Sequence, residues 1–155
     1  MDIRKRRSKK QESKVAKELS GKVTPASGAL WGAKADVRSD IFLVECKTTE
    51  KDYYSLTFNT WDKIYHEAIK DGLRIPVMCI DLLNGKQRYA VICSKDLPNY
   101  DKVVQLDHAR TSFRVKDTGL FAVTNKQRNK VFCLVVIEWS TFLDEVVSEY
   151  EKGSK

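Results

Sequence analysis

A short apolar segment with two charges at its end constrains this chain more than any other feature. Ile41–Cys46 is apolar and β-branched, which is typical of a buried strand. Because strand side chains alternate between two faces, Leu43, Glu45 and Lys47 share one face. Both faces are otherwise mostly apolar, so a carboxylate and an ammonium group stand where a sheet normally buries hydrocarbon.

Asp36 is placed to join these two charges. If Ser39 and Asp40 form a hairpin turn, Asp36 lies opposite Leu43 and diagonal to Glu45, on the same face. Diagonal neighbours lie about 7–8 Å apart, which is close enough to share a divalent cation. A register that differs by one residue would send Asp36 to the other face and remove the site.

The net charge of +7 is concentrated near the N-terminus. Residues 1–22 hold nine Lys/Arg and three Asp/Glu, whereas residues 23–155 hold 19 and 18. We predict that residues 1–10 form a basic, mobile arm that neutralises phosphates or, less often, anionic lipid. The alternative is a solvated tail that aids solubility. The arm's candidate DNA-binding residues are Arg4, Lys5, Arg6, Arg7, Lys9 and Lys10.

Length and composition indicate one globular domain over residues 1–155, with 42% hydrophobic residues. The longest apolar run, Val131–Ile137, is far shorter than the roughly 20 residues that cross a bilayer, so no membrane partner is expected. The four cysteines lie in apolar runs without C-x-x-C spacing, which predicts buried thiols in a reducing, cytoplasmic compartment.

Hydrophobic periodicity predicts an α/β or α+β domain with a mostly mixed sheet. The predicted helices are Ser8–Leu19, Asn59–Lys70 and a last one capped by Ser140 and Thr141. The predicted strands are Lys22–Pro25, Ile41–Cys46, Arg74–Asp81, Arg88–Cys93 and Val131–Trp139. Asn99–Lys130 shows no clear pattern.

Glu12 is a further informative carboxylate. On a helix that begins at Ser8, it shares a face with Val15, Ala16 and Leu19, through which the helix must dock. A carboxylate there is costly unless it meets a cation or a hydrogen-bond donor. The alternative is a rim position from which Glu12 reaches solvent.

These residues suit metal-assisted phosphodiester hydrolysis. Magnesium prefers oxygen ligands and retains several waters, and a bound ion polarises a phosphoryl group and lowers the pKa of a water. Lys47 beside that water can orient it and offset charge on the phosphate. The alternative is that Asp36 and Glu45 are exposed strand charges, with Lys47 in a salt bridge to Glu45.

Asp36 followed by Glu45-Cys46-Lys47 resembles the PD-(D/E)xK nuclease motif, and the chain is most similar to archaeal-type Holliday junction resolvases and their viral relatives. Ser8–Glu12, Pro25–Gly28 and Thr48 also carry the resemblance, which covers about the first 95 residues. It implies a restriction-endonuclease-like core, a central mixed β-sheet flanked by helices. It also implies a homodimer and a cytoplasmic location in a prokaryotic or virus-infected cell.

The resemblance implies a role for each residue of the motif. Asp36 and Glu45 are metal ligands, with the carbonyl of Cys46 as a third. Lys47 positions or activates the attacking water, and Glu12 completes the metal site from the helix. The implied metal is magnesium, with manganese as the substitute, and no small-molecule cofactor is expected.

The loop of residues 26–33 supplies the remaining candidates. Ser27 is implied as a catalytic and DNA-binding residue, because this loop approaches the cleaved strand in such resolvases. Trp31 either wedges against a base at a branch point or anchors the loop to the core. A last group of cations either contacts phosphate without reading sequence or belongs to a charge-mixed surface. These are Lys34, Arg38, Lys51, Arg110, Arg114 and Lys116.

Two positions depart from the resolvase pattern. Ala35 stands where many members have a proline, and Trp61-Asp62-Lys63 stands where many have a glutamine, so no role is carried over there. Apolar residues of the second helix and the stripe Phe142–Tyr150 are candidates for a dimer interface, or else ordinary core faces.

The expected function is a metal-dependent DNA endonuclease that resolves four-way junctions by symmetric phosphodiester hydrolysis as a homodimer. One alternative is a restriction-like or repair endonuclease that acts on duplex, flapped or damaged DNA. The other is a catalytically inactive nucleic-acid-binding protein with a nuclease fold. The intact Asp36, Glu45 and Lys47 argue against the last alternative.

Overall fold

The computed structural model describes residues 2–24, 35–98 and 108–153. Its main element is a seven-stranded sheet in which β3 and β5 are parallel and the other neighbours antiparallel. The strand order is β1-β2-β3-β5-β6-β9-β8, and β4 pairs with β7 in a separate two-stranded sheet.

The strands are β1 (Lys22–Val23), β2 (Val37–Arg38), β3 (Phe42–Thr48), β4 (Tyr54–Thr57), β5 (Ile75–Leu82), β6 (Gln87–Cys93), β7 (Ser112–Val115), β8 (Gly119–Thr124) and β9 (Val131–Glu138). The helices are α1 (Ile3–Glu18), α2 (Phe58–Lys70) and α3, a continuous run of α-helical Trp139–Thr141, π-helical Phe142–Val147 and α-helical Ser148–Gly153. Short 3₁₀ turns occur at Leu83–Gly85 and Ser94–Asp96.

The large sheet separates two hydrophobic clusters. On one face, α1 and α3 pack on alternate residues of the central strands, among them Phe42, Val44 and Val77. On the other face, α2 and the β4–β7 sheet pack on the intervening residues, among them Met78 and Ile80. The structure thus confirms the predicted fold class, a central mixed sheet flanked by helices.

Helix α1 begins at Ile3, five residues before the predicted start. The side chain of Asp2 caps it by accepting a hydrogen bond from Arg4 N, and lysine and arginine are good helix formers. The run Arg4–Lys10 therefore lies on the first turns of the helix. Residues 3–10 of the predicted basic arm are therefore helical, and the mobility of the arm stays a prediction.

Sequence periodicity missed β4, β7 and β8. The last two lie in Asn99–Lys130, of which the structure describes residues 108–130. β4 and β7 are four residues each and pair with each other across more than fifty residues of chain. Such short, long-range pairs leave little local signal.

The apolar faces proposed as dimer interfaces lie in the core. On α2, Phe58, Trp61 and Ile64 belong to one hydrophobic cluster, and Phe142 and Val146 of α3 belong to the other. Their alternative interpretation as core faces is confirmed.

The cysteines form no disulfide, and Cys46, Cys79 and Cys93 are buried. None of the helices within the described residues is both long and apolar enough to cross a membrane.

Candidate active site

The β2–β3 hairpin places Asp36 across from Glu45. The ladder pairs Val37 with Val44 and Arg38 with Leu43, and its continuation by one residue sets Asp36 opposite Glu45. The predicted pairing of Asp36 with Leu43 is therefore wrong by two residues. A difference of two keeps the same face of the strand, so Asp36 still lies on the face of Glu45.

The turn explains this register. Ser39 N donates to Phe42 O at 2.9 Å, and Ser39 Oγ accepts from Phe42 N at 2.9 Å and from Ile41 N at 3.3 Å. The buried serine closes a turn that is longer than the predicted Ser39-Asp40. The Oδ2 atom of Asp36 then accepts a hydrogen bond of 2.9 Å from Cys46 N, which fixes this carboxylate beside β3.

Glu45 and Lys47 lie together on the α2 face of the sheet. Lys47 Nζ is 3.5 Å from Glu45 Oε1, and the Glu45 side chain is only 20% exposed. Their neighbours across the parallel β3–β5 pairing are Met78 and Ile80, which are buried. The pair is therefore held against an apolar surface, as the alternation of side chains along β3 predicted.

The carboxylates of the site repel one another. Burial, and then the charge of Asp36, raise the pKa of Glu45 to about 7, although Lys47 opposes this. Burial also raises the pKa of Asp36, against the Cys46 N–H and Lys47. Burial lowers the pKa of Lys47, but Glu45 and then Tyr54 outweigh it, so the net shift is upward and Lys47 stays charged.

Glu12 approaches the same site from α1. It is partly buried, and burial followed by the charge of Asp36 raises its pKa. Val15 and Ala16 of the helix are buried against the sheet, as its pattern predicted. Glu12 thus lies close enough to Asp36 to feel its charge, and Asp36 in turn acts on Glu45 and Lys47.

Gln11 docks α1 at this end of the sheet, and sequence reasoning gave it no role. It is 3% exposed, and its Nε2 donates to Lys47 O at 3.0 Å and to Cys79 O at 3.1 Å. The available signal was its position one helical turn before Val15, which places an amide on the docking face.

Helix α2 adds two charges that sequence reasoning also missed. The Glu67 carboxylate accepts a hydrogen bond from Ala35 N, next to Asp36, and burial raises its pKa. Lys63 Nζ lies 4.0 Å from Glu67 Oε1, and Lys63 lowers the pKa of Asp36. The i,i+4 spacing of Lys63 and Glu67 was the available signal.

Oxygen donors of the kind that magnesium prefers are present at the site. The charge of Asp36 raises the pKa of Glu12, Glu45 and Glu67, so a cation among these carboxylates would relieve their mutual repulsion. In the described residues no three acidic, histidine or cysteine side chains are already gathered as a metal cage. The donor chemistry therefore fits a divalent ion, while Cys46 N and Lys47 hold two of the carboxylates.

The remaining candidates fall into two groups. Ser27, Trp31 and Lys34 lie outside the described residues. The cations of the basic run are all exposed on α1, and Arg7 also donates to Asn84 Oδ1. The Cys46 side chain lies in the hydrophobic cluster beneath α1, and the role of its carbonyl as a metal ligand stays a prediction.

No protein-family model and no curated protein matches the chain. The solved structure of Hjc, a Holliday junction resolvase from the archaeal hyperthermophile Archaeoglobus fulgidus, is similar to it with a TM-score of 0.47 and 13% identity. The similarity covers 70% of this chain and 85% of that chain. A similarity at this level assigns no role to any residue of this chain.

Proposed function

We propose that the protein is a metal-dependent DNA endonuclease that resolves four-way junctions by symmetric phosphodiester hydrolysis. The observation that carries this proposal is the cluster at the hairpin, where Asp36 lies across from Glu45 and Lys47 lies 3.5 Å from Glu45. Carboxylates and a lysine on a partly buried strand surface are costly to a fold, and phosphodiester hydrolysis uses them together.

Each residue of the cluster has a task in this proposal. Asp36, Glu45 and Glu12 would hold magnesium, or manganese in its place, together with the carbonyl of Cys46. The bound ion would supply a polarised phosphoryl oxygen and a water of lowered pKa. Lys47 stays protonated beside Glu45, so it orients the attacking water and offsets the charge that develops on the phosphate.

The basic turns of α1 supply the DNA contact. Gln11 holds α1 against the Lys47 carbonyl, so the preceding run Arg4–Lys10 lies at the same end of the sheet as the acidic cluster. Exposed arginine and lysine bind phosphates without regard to sequence. A junction has two equivalent strands to cut, so we propose a homodimer with one site for each strand.

A cleavage assay tests this proposal. A four-way junction and a duplex of the same sequence, each end-labelled, are incubated with the protein and magnesium, manganese or EDTA. The expected result is paired cuts on opposite strands of the junction, little cutting of the duplex, and none with EDTA. Asp36→Asn should be inactive, while the matched control Asp40→Asn, at an exposed turn residue, should cut normally.

The outcomes separate the alternatives. If duplex, flapped or damaged DNA is cut as well as the junction, the proposed junction specificity is wrong, while the proposed metal-dependent hydrolysis stands. Binding without cleavage of any of these DNAs, with either metal, would contradict the nuclease assignment and favour a nucleic-acid-binding protein.

A further inference from the structure

The small β4–β7 sheet has one apolar and one cationic, hydroxyl-bearing face. Leu56 and Val115 are buried against the hydrophobic cluster of the α2 side. The intervening residues are exposed, and Arg114 pairs with Ser55 in the ladder. The exposed positions of the two strands are Ser55, Thr57, Ser112 and Arg114, and they include no carboxylate.

Two cations of this region converge on one aromatic ring. The guanidinium carbon of Arg114 lies 4.4 Å from the centroid of the Tyr53 ring, and Lys51 Nζ lies 5.5 Å from it. The ring attracts both cations without neutralising them. By contrast, the neighbouring Lys116 pairs with Asp52 at 3.8 Å.

Within residues 2–24, 35–98 and 108–153, neither Lys51 nor Arg114 forms a salt bridge. Both side chains are exposed. An ordered, uncompensated guanidinium beside an ammonium group is suited to phosphate, which arginine recognises with its planar fork of donors.

This cation pair is linked through one turn to the basic turns of α1, and Tyr54, the neighbour of Tyr53 in the chain, raises the pKa of Lys47. Leu83 N donates to Lys51 O and Asn84 N donates to Thr49 O, both at 3.0 Å. Arg7 of α1 donates to the side chain of Asn84. One turn between β5 and β6 therefore contacts both the basic helix and the segment that leads from Lys47 to Lys51.

We propose that Lys51, Tyr53 and Arg114 form a second phosphate-binding cluster, which holds the backbone of the DNA whose strand lies at the acidic site. The identification of the bound polyanion as DNA rests on the proposed function. The continuity with α1 favours DNA, because a long polyanion can span both surfaces. Tyr53 keeps the two cations together, and the cluster reads no base.

Salt dependence of binding tests the cluster. Affinity for a labelled four-way junction is measured by fluorescence anisotropy in EDTA, so that no cleavage occurs, between about 50 and 200 mM salt. The double variant Lys51→Ala, Arg114→Ala loses two phosphate contacts, so its log–log salt slope should be smaller by about 2. The ratio of its affinities at the two salt concentrations should fall by about tenfold relative to wild type.

Three further variants separate a phosphate contact from a general effect. Arg114→Lys keeps the charge and should keep most of the slope, and Tyr53→Leu should lose part of it. The matched control Lys152→Ala removes a cation from α3, on the opposite face of the sheet, and should leave the slope unchanged. Circular dichroism checks that each variant is folded.

An unchanged slope in the double variant, or an equal loss in Lys152→Ala, would overturn this inference even if the protein cuts DNA normally. A reduced slope in a protein that cuts no DNA would support the cluster and contradict the nuclease assignment. If wild-type protein binds no DNA at low salt, both proposals are wrong.

Discussion

Replacing Glu45 by glutamine in the metal-free protein measures how much the ionised Glu45 carboxylate destabilises the fold. Burial, and then the charge of Asp36, raise the pKa of Glu45 from 4.5 to about 7 in the folded state. Between these values the folded protein binds a proton that the unfolded chain has lost. The contribution of Glu45 to the free energy of unfolding is therefore highest below pH 4.5 and is lost as the pH rises through about 7.

The size of the effect follows from the pKa difference. A difference of about 2.5 between the folded and unfolded pKa corresponds to about 3 kcal/mol of unfolding free energy, which is lost once Glu45 is ionised in the folded protein. This difference already includes the attraction of Lys47. Because the Glu45 side chain is 20% exposed, solvent reduces the cost. We expect Glu45→Gln to be about 1–3 kcal/mol more stable than wild type near pH 8, and about equal to it near pH 4.

Urea unfolding in EDTA at the two pH values measures this difference as a shift of the midpoint at constant slope. Glu50→Gln, an exposed carboxylate five residues along the chain, is the matched control and should stay within about 0.5 kcal/mol of wild type. Magnesium should then raise the midpoint of wild type more than that of Glu45→Gln. A variant that is no more stable than wild type near pH 8 refutes the reasoning.

Three further predictions concern the surroundings of the site. Gln11→Leu should cost about 1–3 kcal/mol in urea unfolding, since two carbonyls lose their donor; no loss would mean that the amide does not anchor α1. Glu67→Leu should lower the free energy of unfolding by about 1 kcal/mol and Glu67→Gln by less, because glutamine, unlike leucine, can still accept a hydrogen bond from Ala35 N. Equal losses in the two variants would contradict that hydrogen bond. Replacing the exposed Arg4, Lys5 and Arg6 together by alanine should reduce the log–log salt slope of DNA binding by about 3. An unchanged slope would mean that the start of α1 does not touch DNA.

Local pattern was enough to predict which side chains share a face at the candidate site. The alternation along β3 set Glu45 and Lys47 on one face, and the helical spacing of Val15 and Ala16 brought Glu12 to the sheet. The first inference uses the two-residue period of a strand and the second the 3.6-residue period of a helix, and both periods can be read directly from the sequence. They also predicted the two layers of helices around a mixed sheet.

Details that depend on single side-chain hydrogen bonds were not predictable in this way. Ser39 Oγ accepts two backbone N–H groups and lengthens the turn, which shifts Asp36 from Leu43 to Glu45. Asp2 extends α1 into the basic run by capping it. In each case a polar side chain satisfies backbone groups that the hydrophobic pattern does not register.

Partners that are distant in sequence were missed for a different reason. The pairing of β4 with β7 brings Arg114 to Tyr53 across about sixty residues, and neither strand has a distinctive pattern. The contact of Glu67 with Ala35 likewise depends on how α2 packs beside the hairpin. Tertiary packing determines both contacts.

Single-turnover cleavage of the four-way junction by Lys47→Met, with DNA binding measured on the same preparation, tests the central claim most directly. Methionine keeps the volume of the lysine stem and removes the ammonium group 3.5 Å from Glu45. We predict binding close to that of wild type and a cleavage rate lower by about 100-fold or more. Cleavage at the wild-type rate would show that Lys47 takes no part in the reaction and that the cluster at the hairpin is not the active site.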